Sequence, residues 1–255
     1  MNTSRRLEHS VVSKASRLIA VAPRMAEDLA DAHAFERDRA VSITNGFDPS
    51  DVARVRDSRA TTGPFRLMYV GSVHAHYNLD PLWTAVRELA AAGTITPETF
   101  RIEFVGNLSM NDVRAHGVEP YVETAPFVPH NTVFEILGRA DALLVVETPG
   151  YYAQYGYAAK VFDYVLTGKP VVALVEAGGN TSRLLEAAGV GYCAEPDDAA
   201  GTRRAIEHVL ALRGAAPRTI DHDAAPLRDF NRVHLVEKLA SVLDDVVTTE
   251  PRGRW

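Results

Sequence analysis

The sequence predicts an α/β protein with a Rossmann-like, doubly wound parallel sheet. Short apolar runs alternate along the chain with stretches of helical periodicity. Strands that alternate with helices form βαβ units and therefore parallel sheets. Two of the runs, 142–146 and 171–174, are apolar at every position, which is typical of strands covered by helices on both faces. Ligands of such sheets bind beyond the carboxyl ends of the strands.

The predicted elements follow one another in a regular order. Proline, asparagine and glycine residues mark where these elements begin and end. Pro23 can open a helix, Asn45 and Gly46 stop a strand, and Gly168 ends a helix. The predicted strands are 18–21, 40–43, 66–70, 101–105, 121–123, 142–146, 171–174 and 191–194. The predicted helices are 23–30, 79–92, 111–116, 133–137, 158–166, 181–188, 199–212 and a last one that carries Val236, Leu239, Ala240, Leu243 and Val246. We expect this last apolar face to pack on the core, and a dimer stripe is the alternative.

Residues 54–64 divide the chain into unequal parts. The segment is rich in polar residues and poor in apolar ones, so we interpret it as a linker. The part before it, 1–53, holds two strands, and an isolated strand pair is only marginally stable. We interpret 1–53 as the last βαβ unit of a domain whose earlier strands are missing, and the alternative places both strands at the edge of the main sheet. Residues 65–214 form the main domain, and 215–255 form a polar crossing segment and a closing helix.

Composition excludes several classes of protein. Of the 255 residues, 46% are hydrophobic and 24% are charged, so disorder is excluded as the main state. A net charge of −6 argues against a nucleic-acid binder that works by bulk charge. Cys193 is the only cysteine, which excludes a disulfide framework and fits a reducing cytoplasm. No run approaches the roughly 18 apolar residues that span a bilayer, so we expect a cytoplasmic protein.

Glycines and histidines follow the predicted strands. Gly71 and Gly106 each end a strand, where the absence of a Cβ lets backbone approach a ligand. Neither lies in a GxGxxG or Walker loop, so for each alone a simple turn is the preferred interpretation. His74 and His76 have no clear third ligand, which makes exposed loop histidines more plausible than a metal site. No residue can be assigned as catalytic.

The segment 155–163 is the strongest candidate for a ligand site. Gly156 precedes a predicted helix, and the free N–H groups of a helix start can bind an anion. The small side chains of Ala158 and Ala159 leave those amides approachable. Asp163 lies one turn into the helix, where its carboxylate can accept hydrogen bonds from ribose hydroxyls. The alternative is a well-capped helix with a solvated Asp163 near its positive end.

Together these motifs resemble the C-terminal half of a family 4-type glycosyltransferase with the GT-B fold. The resemblance covers almost the whole chain. It rests on 14–21 (KASRLIAV), 43–48 (ITNGFD), 69–72 (YVGS), 140–144 (ADALL), 162–172 (FDYVLTGKPVV) and 195–198 (EPDD). It implies that 1–53 is the remnant of an N-terminal acceptor domain and that 65–214 binds a nucleotide sugar.

The resemblance also implies an activity and a donor site. Such enzymes transfer a sugar from a nucleotide diphosphate sugar to an acceptor, usually with retention of configuration and without a metal or other cofactor. Asp163 would hold the ribose, the amides of 156–159 the diphosphate, and 127–128 the base. The implied donor-binding residues are Gly71, Ser72, Phe127, Val128, Gly156, Tyr157, Ala158, Ala159, Lys160 and Asp163.

Two departures from the family pattern bear on this site. Tyr155 stands at the first glutamate of the family's E-x7-E pattern, and Asp163 stands at the second. The arginine and lysine that usually neutralise the diphosphate fall at Ser72 and Tyr77. A neutral histidine is a poor replacement for a fixed cation. The candidates to replace them are Lys160, His74 and His76.

Three functions fit this sequence. The first is a glycosyltransferase acting on a glycan, lipid or small acceptor, in the cytoplasm or at the inner face of the membrane. It is either truncated or completed by a second chain that supplies the N-terminal domain. The second is a non-catalytic remnant that binds nucleotide sugars or docks a partner. The third is a sugar-nucleotide epimerase, whose catalytic carboxylates and histidine cannot be placed here. We expect strands 18–21 and 40–43 to expose apolar surface, which usually marks a partner site.

Overall fold

The computed structural model describes residues 3–60 and 62–249. Residues 1–2, 61 and 250–255, which belong to the predicted segments 1–53, 54–64 and 215–255, lie outside the described residues. The strands are β1 Leu18–Ala20, β2 Ala40–Ser42, β3 Phe65–Val70, β4 Phe100–Val105, β5 Val122–Ala125, β6 Ala142–Val146, β7 Val171–Leu174 and β8 Gly191–Ala194. The helices are α1 Thr3–Val12, α2 Pro23–His33, α3 Asp80–Ala91, α4 Met110–Ala115, α5 His130–Gly138, α6 Tyr151–Tyr155, α7 Lys160–Leu166, α8 Asn180–Ala188, α9 Ala199–Ala211 and α10 Arg232–Thr249.

The main sheet has six parallel strands in the order β5-β4-β3-β6-β7-β8. The chain winds outward from β3 in one direction and from β6 in the other, so the strand order reverses between these two strands. Two buried apolar clusters lie against the sheet, and every residue of β6 and β7 is buried. The predicted doubly wound α/β class is therefore confirmed.

The first two strands form a parallel sheet of their own. β1 pairs with β2 through Leu18–Ala40, Ile19–Val41 and Ala20–Ser42, and neither strand pairs with the main sheet. The alternative that placed them at the edge of the main sheet is therefore wrong. Helix α2 packs closely against this strand pair. The side chains of Ile19 and Val21 remain exposed.

The crossing segment returns to this unit and is anchored beside Gly46 and Phe47. Phe47 forms a parallel bridge with Asn231. The Phe47 N–H donates to the Phe230 carbonyl oxygen at 3.0 Å, and the Arg232 N–H donates to the Phe47 carbonyl oxygen at 3.0 Å. A Cβ at Gly46 would lie 2.0 Å from the Phe230 oxygen, so glycine is required for this close approach.

The linker lies against the main domain and is anchored there by a buried lysine. Lys169, only 1% exposed, donates to the carbonyl oxygens of Gly138 at 2.7 Å and Ala140 at 2.5 Å. Its amine also lies 3.3 Å from a carboxylate oxygen of Asp57 in the linker. Burial lowers the pKa of Lys169 to about 8, and the oxygens around it hold the amine in place. The predicted domain boundaries remain predictions.

Four helices differ from the sequence prediction. The helix predicted at 158–166 begins only at Lys160, and α1 and α6 were not predicted. The last helix is found, but Val236 and Leu243 are 63% and 54% exposed rather than in the core. Among the described residues of this helix, the buried apolar side chain is that of Val242.

We expect the substitution Gly46→Ala to lower the free energy of unfolding by about 2–4 kcal/mol, because the new methyl group displaces the Phe230 carbonyl. Gly156→Ala is the matched control, since its φ of −152° is ordinary extended backbone and its nearest neighbour is 3.6 Å away. Denaturant unfolding of both variants measures the difference. Equal stabilities would show that the anchored crossing segment does not contribute to the fold.

Candidate functional site

A cavity of about 610 Å³ opens at the carboxyl ends of β3 and β4. The last residues of these strands, Val70 and Val105, form its floor together with Gly71, beside the point where the strand order reverses. Such a crevice is where open α/β sheets bind ligands. The other walls are formed by 43–46, the starts of α5 and α7, and the α10 residues Leu235, Val236 and Leu239.

Six of the ten predicted donor-binding residues line this one cavity. They are Gly71, Phe127, Val128, Ala159, Lys160 and Asp163. They come from the loop after β3, the loop after β5 and the start of α7. The structure therefore brings together the residues predicted for the base, the ribose and one candidate cation.

The other four predicted residues do not line the cavity. The Ser72 carbonyl oxygen accepts a hydrogen bond from the Tyr69 hydroxyl at 2.6 Å. The Gly156 N–H donates to the Tyr152 carbonyl oxygen at 3.1 Å. Tyr157 packs against Phe162, with ring centroids 5.5 Å apart.

The predicted amide cradle for a diphosphate is partly occupied by the protein itself. The Ala158 N–H donates to Oγ1 of Thr181 at 3.1 Å. The Gly156 amide also donates to a protein oxygen. Two of the four amides of 156–159 that were predicted to bind the diphosphate are therefore already engaged. The prediction of a helix start with free amides at Ala158 is wrong in this respect, because Thr181 on α8 satisfies that donor.

Asp163 projects into the cavity and pairs with a histidine. One carboxylate oxygen lies 3.2 Å from Nε2 of His130. The Asp163 side chain is 22% exposed, and burial raises its pKa although His130 opposes this shift. The alternative of a solvated carboxylate at a helix start is therefore wrong. His130 was not identified from the sequence, although it lies two residues after Val128, which was predicted to bind the base.

Lys160 places an unpaired amine at the cavity. Its Nζ lies 3.5 Å from the centroid of the Tyr69 ring, and among residues 3–60 and 62–249 no hydrogen-bond acceptor contacts it. Burial lowers the pKa of Lys160 to about 7, against the opposing effect of Glu147. The side chain is partly exposed to the cavity, and the face of the Tyr69 ring gives the amine a cation–π contact.

Glu147 is a buried carboxylate that the sequence reasoning missed. It follows the all-apolar strand β6 and accepts a hydrogen bond of 2.6 Å from the Thr181 hydroxyl. Burial raises its pKa, and Lys160 and the Ala158 amide act in the opposite direction. A lone carboxylate directly after a fully apolar strand is the sequence signal that could have identified it.

The two strand-end glycines allow two loops to touch. Gly71 and Gly106 have φ values of +119° and +143°, which L side chains rarely adopt. A Cβ at Gly106 would lie 2.2 Å from the Gly71 carbonyl oxygen. The interpretation of both glycines as turns is confirmed in part. Each turns the chain with a positive φ, and the absence of a Cβ at Gly106 also lets the two loops approach each other.

The histidines after β3 form a stack of rings. The His74 and His76 rings stack with centroids 5.4 Å apart, and His76 also stacks on Tyr152 at 5.7 Å. In the described part of the chain, no group of three or more His, Cys, Asp or Glu residues is placed to hold a metal.

No helix among residues 3–60 and 62–249 has the length and apolar character needed to cross a membrane.

Comparison with known proteins identifies relatives. The sequence model of the family described as "Glycosyl transferases group 1" matches residues 64–211. A probable glycosyltransferase, WbjE of Pseudomonas aeruginosa, is 25% identical over 143 residues. That match covers 52% of this chain and 35% of the relative, so the matched region corresponds to about a third of its length.

Solved structures share the fold. A glycosyltransferase from Rickettsia africae superposes with a TM-score of 0.69 and 14% identity, covering 98% of this chain and 69% of that chain. Sucrose-phosphate synthase from Thermosynechococcus elongatus gives a TM-score of 0.67 and 17% identity, with coverages of 97% and 62%. A trehalose 6-phosphate synthase from Burkholderia multivorans superposes with a TM-score of 0.71 and 11% identity, covering 94% of this chain and 62% of that chain.

We expect Lys160→Met to raise the free energy of unfolding at pH 7 by about 1 kcal/mol, because burial lowers the pKa of the amine that it removes. Its pKa is lowered from 10.5 to about 7 on folding, so the gain is full at or below pH 7 and shrinks as pH rises toward 10.5. Denaturant unfolding at pH 7 and pH 9 measures it. Lys14→Met, at an exposed lysine, is the control, and a loss of stability at pH 7 would contradict the interpretation.

Proposed function

Since this chain belongs to the glycosyl transferases group 1 family, we propose that it binds a nucleotide diphosphate sugar and takes part in transferring the sugar to an acceptor. One observation carries the proposal. Lys160 and Asp163, one helical turn apart on α7, both face a cavity at the reversal of strand order. An ammonium group complements a phosphate, and a carboxylate complements ribose hydroxyls.

The proposed donor lies across the strand ends in a fixed order. Its base packs against Phe127, whose ring is 60% exposed, and against Val128. The ribose hydroxyls donate to the Asp163 carboxylate, which His130 orients through their 3.2 Å contact. The diphosphate lies between Lys160 and the Gly71 loop, where the amine meets its first oxygen ligands.

The proposed chemistry is stabilisation of the leaving nucleoside diphosphate. When the sugar–oxygen bond breaks, negative charge develops on the diphosphate, and the positive charge of Lys160 stabilises that charge in a partly dry site. Transfer with retention and without a metal belongs to the proposal through the family resemblance. No side chain of the cavity is assigned as catalytic acid or base.

We propose further that a second polypeptide supplies most of the acceptor half. The pair β1–β2 forms a separate two-stranded sheet, and Ile19 in β1 and Val21 directly after it are exposed. Beside it, α10 carries an exposed apolar stripe at helical spacing. The stripe consists of Val233, Val236, Leu243 and Val247. A glycan or lipid acceptor would bind where this partner meets the cavity.

A thermal-shift screen against UDP, GDP, ADP and their sugars tests donor binding. Selective stabilisation by one nucleotide supports the proposal and names the base. Donor binding that never leads to turnover, even with the acceptor half supplied, would instead support a non-catalytic docking protein. Conversion of the donor sugar without any acceptor would support an epimerase.

We expect Asp163→Asn to weaken binding of the responding nucleotide diphosphate by about tenfold to a hundredfold, because charge-assisted hydrogen bonds to ribose are lost. Isothermal titration calorimetry measures the change. A 2′,3′-dideoxy nucleotide should bind the wild-type protein as weakly as the normal nucleotide binds the variant. Glu135→Gln, on the exposed side of α5, is the matched control. Unchanged affinity of Asp163→Asn for every nucleotide would rule out this role.

We expect Leu243→Lys to reduce both hydrophobic-dye binding and self-association of the purified chain, because it places a charge in the exposed stripe. Ser241→Lys adds the same charge at an exposed polar position of α10 and should change neither. Dye fluorescence and sedimentation velocity measure the two effects. A wild-type chain that stays monomeric and dye-free at high concentration would contradict a docking role for the stripe.

A further inference from the structure

Five aromatic rings form an array on the surface at the carboxyl edge of the main sheet. Two of them come from the loop after β3 and three from α6, which follows β6. Neighbouring rings lie nearly parallel, with centroids 5.4 Å apart for His74 and His76, 5.7 Å for His76 and Tyr152, and 4.4 Å for Tyr151 and Tyr155. The strand order reverses between β3 and β6, so this ring array lies at the same edge as the proposed donor cavity.

The ring array is open to solvent. Tyr151 and Tyr152 are 64% and 58% exposed, and His74 and His76 are also exposed. Rings in offset stacks cover only part of each other. Among residues 3–60 and 62–249, no hydrogen-bond partner contacts the hydroxyls of these two tyrosines or the ring nitrogens of these two histidines. The array therefore offers aromatic faces that are bordered by unengaged polar groups.

Helix α6 is held in place from both parts of the chain. Glu176, after β7, accepts a hydrogen bond of 2.6 Å from the Gly150 N–H and one of 3.0 Å from the Gln154 side-chain amide. In the small unit, Asp28 on α2 accepts a hydrogen bond from the Tyr155 hydroxyl. The rings of α6 are thus positioned before any ligand binds, which lowers the entropy cost of binding.

A second cavity, of about 640 Å³, borders the ring array. His74 and Tyr77 line it, and the Tyr77 ring meets the rings of His74 and His76 edge to face, with centroids 5.2 Å and 5.1 Å away. Its other polar lining residues are Asn78, Asp80, Asn107, Ser109 and Asp112. Among the described residues, neither a lysine nor an arginine lines this cavity, so it does not complement an anion.

We propose that the ring array and the second cavity bind a neutral carbohydrate, so that this chain itself helps to hold a saccharide as the acceptor. The assignment of this saccharide as the acceptor rests on the proposed function. One face of a sugar ring presents C–H groups that are weakly positive, and these complement the negative face of an aromatic ring. Sugar hydroxyls both donate and accept hydrogen bonds, as do the phenol, imidazole and carboxamide groups found here.

The position of the ring array agrees with this role. Gly71 lines the donor cavity, and His74 follows it in the same loop. On the other side, α6 ends four residues before Ala159, which also lines the donor cavity. A saccharide on the array therefore lies at the same edge of the sheet as the proposed donor, as transfer between them requires.

The chemistry of the ring array favours a sugar over other ligands. Each of its five rings carries a polar atom, whereas a lipid chain requires aliphatic surface. A phosphate group requires a cation, which the described lining of the second cavity does not supply. A nucleobase can also stack on tyrosine, so nucleosides enter the test as the competing ligand.

Ligand-observed saturation-transfer NMR of the full chain tests the proposal with four neutral trisaccharides. The probes are maltotriose, mannotriose, galactotriose and chitotriose, with uridine and guanosine as competing ligands. At least one trisaccharide should bind, with saturation transferred to the C–H protons of one ring face. Titration of that trisaccharide gives its dissociation constant for the wild-type chain and for each variant.

We expect Tyr152→Ala to weaken binding of that trisaccharide by about tenfold, because an exposed stacking face is lost. Tyr152→Phe keeps the ring face and should bind the trisaccharide within a few-fold of wild type. Neither substitution should change the affinity for the nucleotide that binds the donor cavity. Circular dichroism and thermal unfolding establish that both variants are folded.

A pair of histidine variants supplies the matched control. His76 and His208 are both exposed and both stack on a tyrosine. His208, however, stacks on Tyr192 of the edge strand β8, outside the ring array. His76→Ala should weaken trisaccharide binding severalfold, and His208→Ala should leave it unchanged.

Four results would overturn the inference. They are a folded chain that binds none of the four trisaccharides, equal trisaccharide affinity of wild type and Tyr152→Ala, equal losses in His76→Ala and His208→Ala, and nucleoside binding that Tyr152→Ala abolishes. Nucleotide binding without trisaccharide binding contradicts this inference alone and leaves the proposed donor site intact. Trisaccharide binding that depends on Tyr152, in a chain that binds no nucleotide, supports the carbohydrate site and contradicts the proposed function.

Discussion

The position of the candidate site depends on one hydrogen bond between a strand and a helix. The Val70 N–H, at the end of β3, donates to the hydroxyl of Tyr164 at 2.9 Å. Tyr164 is fully buried and directly follows Asp163 on α7, so this bond fixes the helix against the strand at the reversal of strand order. Since α7 begins at Lys160, the same contact determines where both the amine and the carboxylate enter the cavity. A helix displaced from β3 would separate the charged groups from the Gly71 loop.

The cavity belongs to both parts of the chain. The main sheet supplies its floor, whereas residues 43–46 and α10 close it from the side of the small unit. The anchored crossing segment beside Phe47 makes this possible, because it brings α10 back across the end of the main domain. Lys238 on α10 then donates to the Ser42 carbonyl oxygen at 2.8 Å. The same helix therefore both lines the cavity and contacts the small unit.

Strong local patterns in the sequence predict most of the fold and part of the site. All eight strands were found, because their apolar runs are bounded by glycine and proline, and Asp163 and Lys160 follow from the motif at 155–163. What the sequence could not show depends on contacts between distant segments. His130 meets Asp163 across 33 residues, and the Thr181 hydroxyl reaches back to Glu147 and to the Ala158 amide. For the same reason the start of α7 was misplaced.

The two desolvated lysines of this domain show how a buried charge indicates either structure or function. Lys169 is surrounded by two carbonyl oxygens and a carboxylate, so its cost of burial is compensated within the fold and nothing further is needed. Lys160 has a ring on one side and a cavity on the other, and no oxygen ligand among the described residues. The surroundings of Lys169 are therefore complete within the fold, whereas those of Lys160 consist of a cation–π contact and a cavity that the fold leaves open. In the proposed donor site, a phosphate group would supply the oxygen ligands that Lys160 lacks.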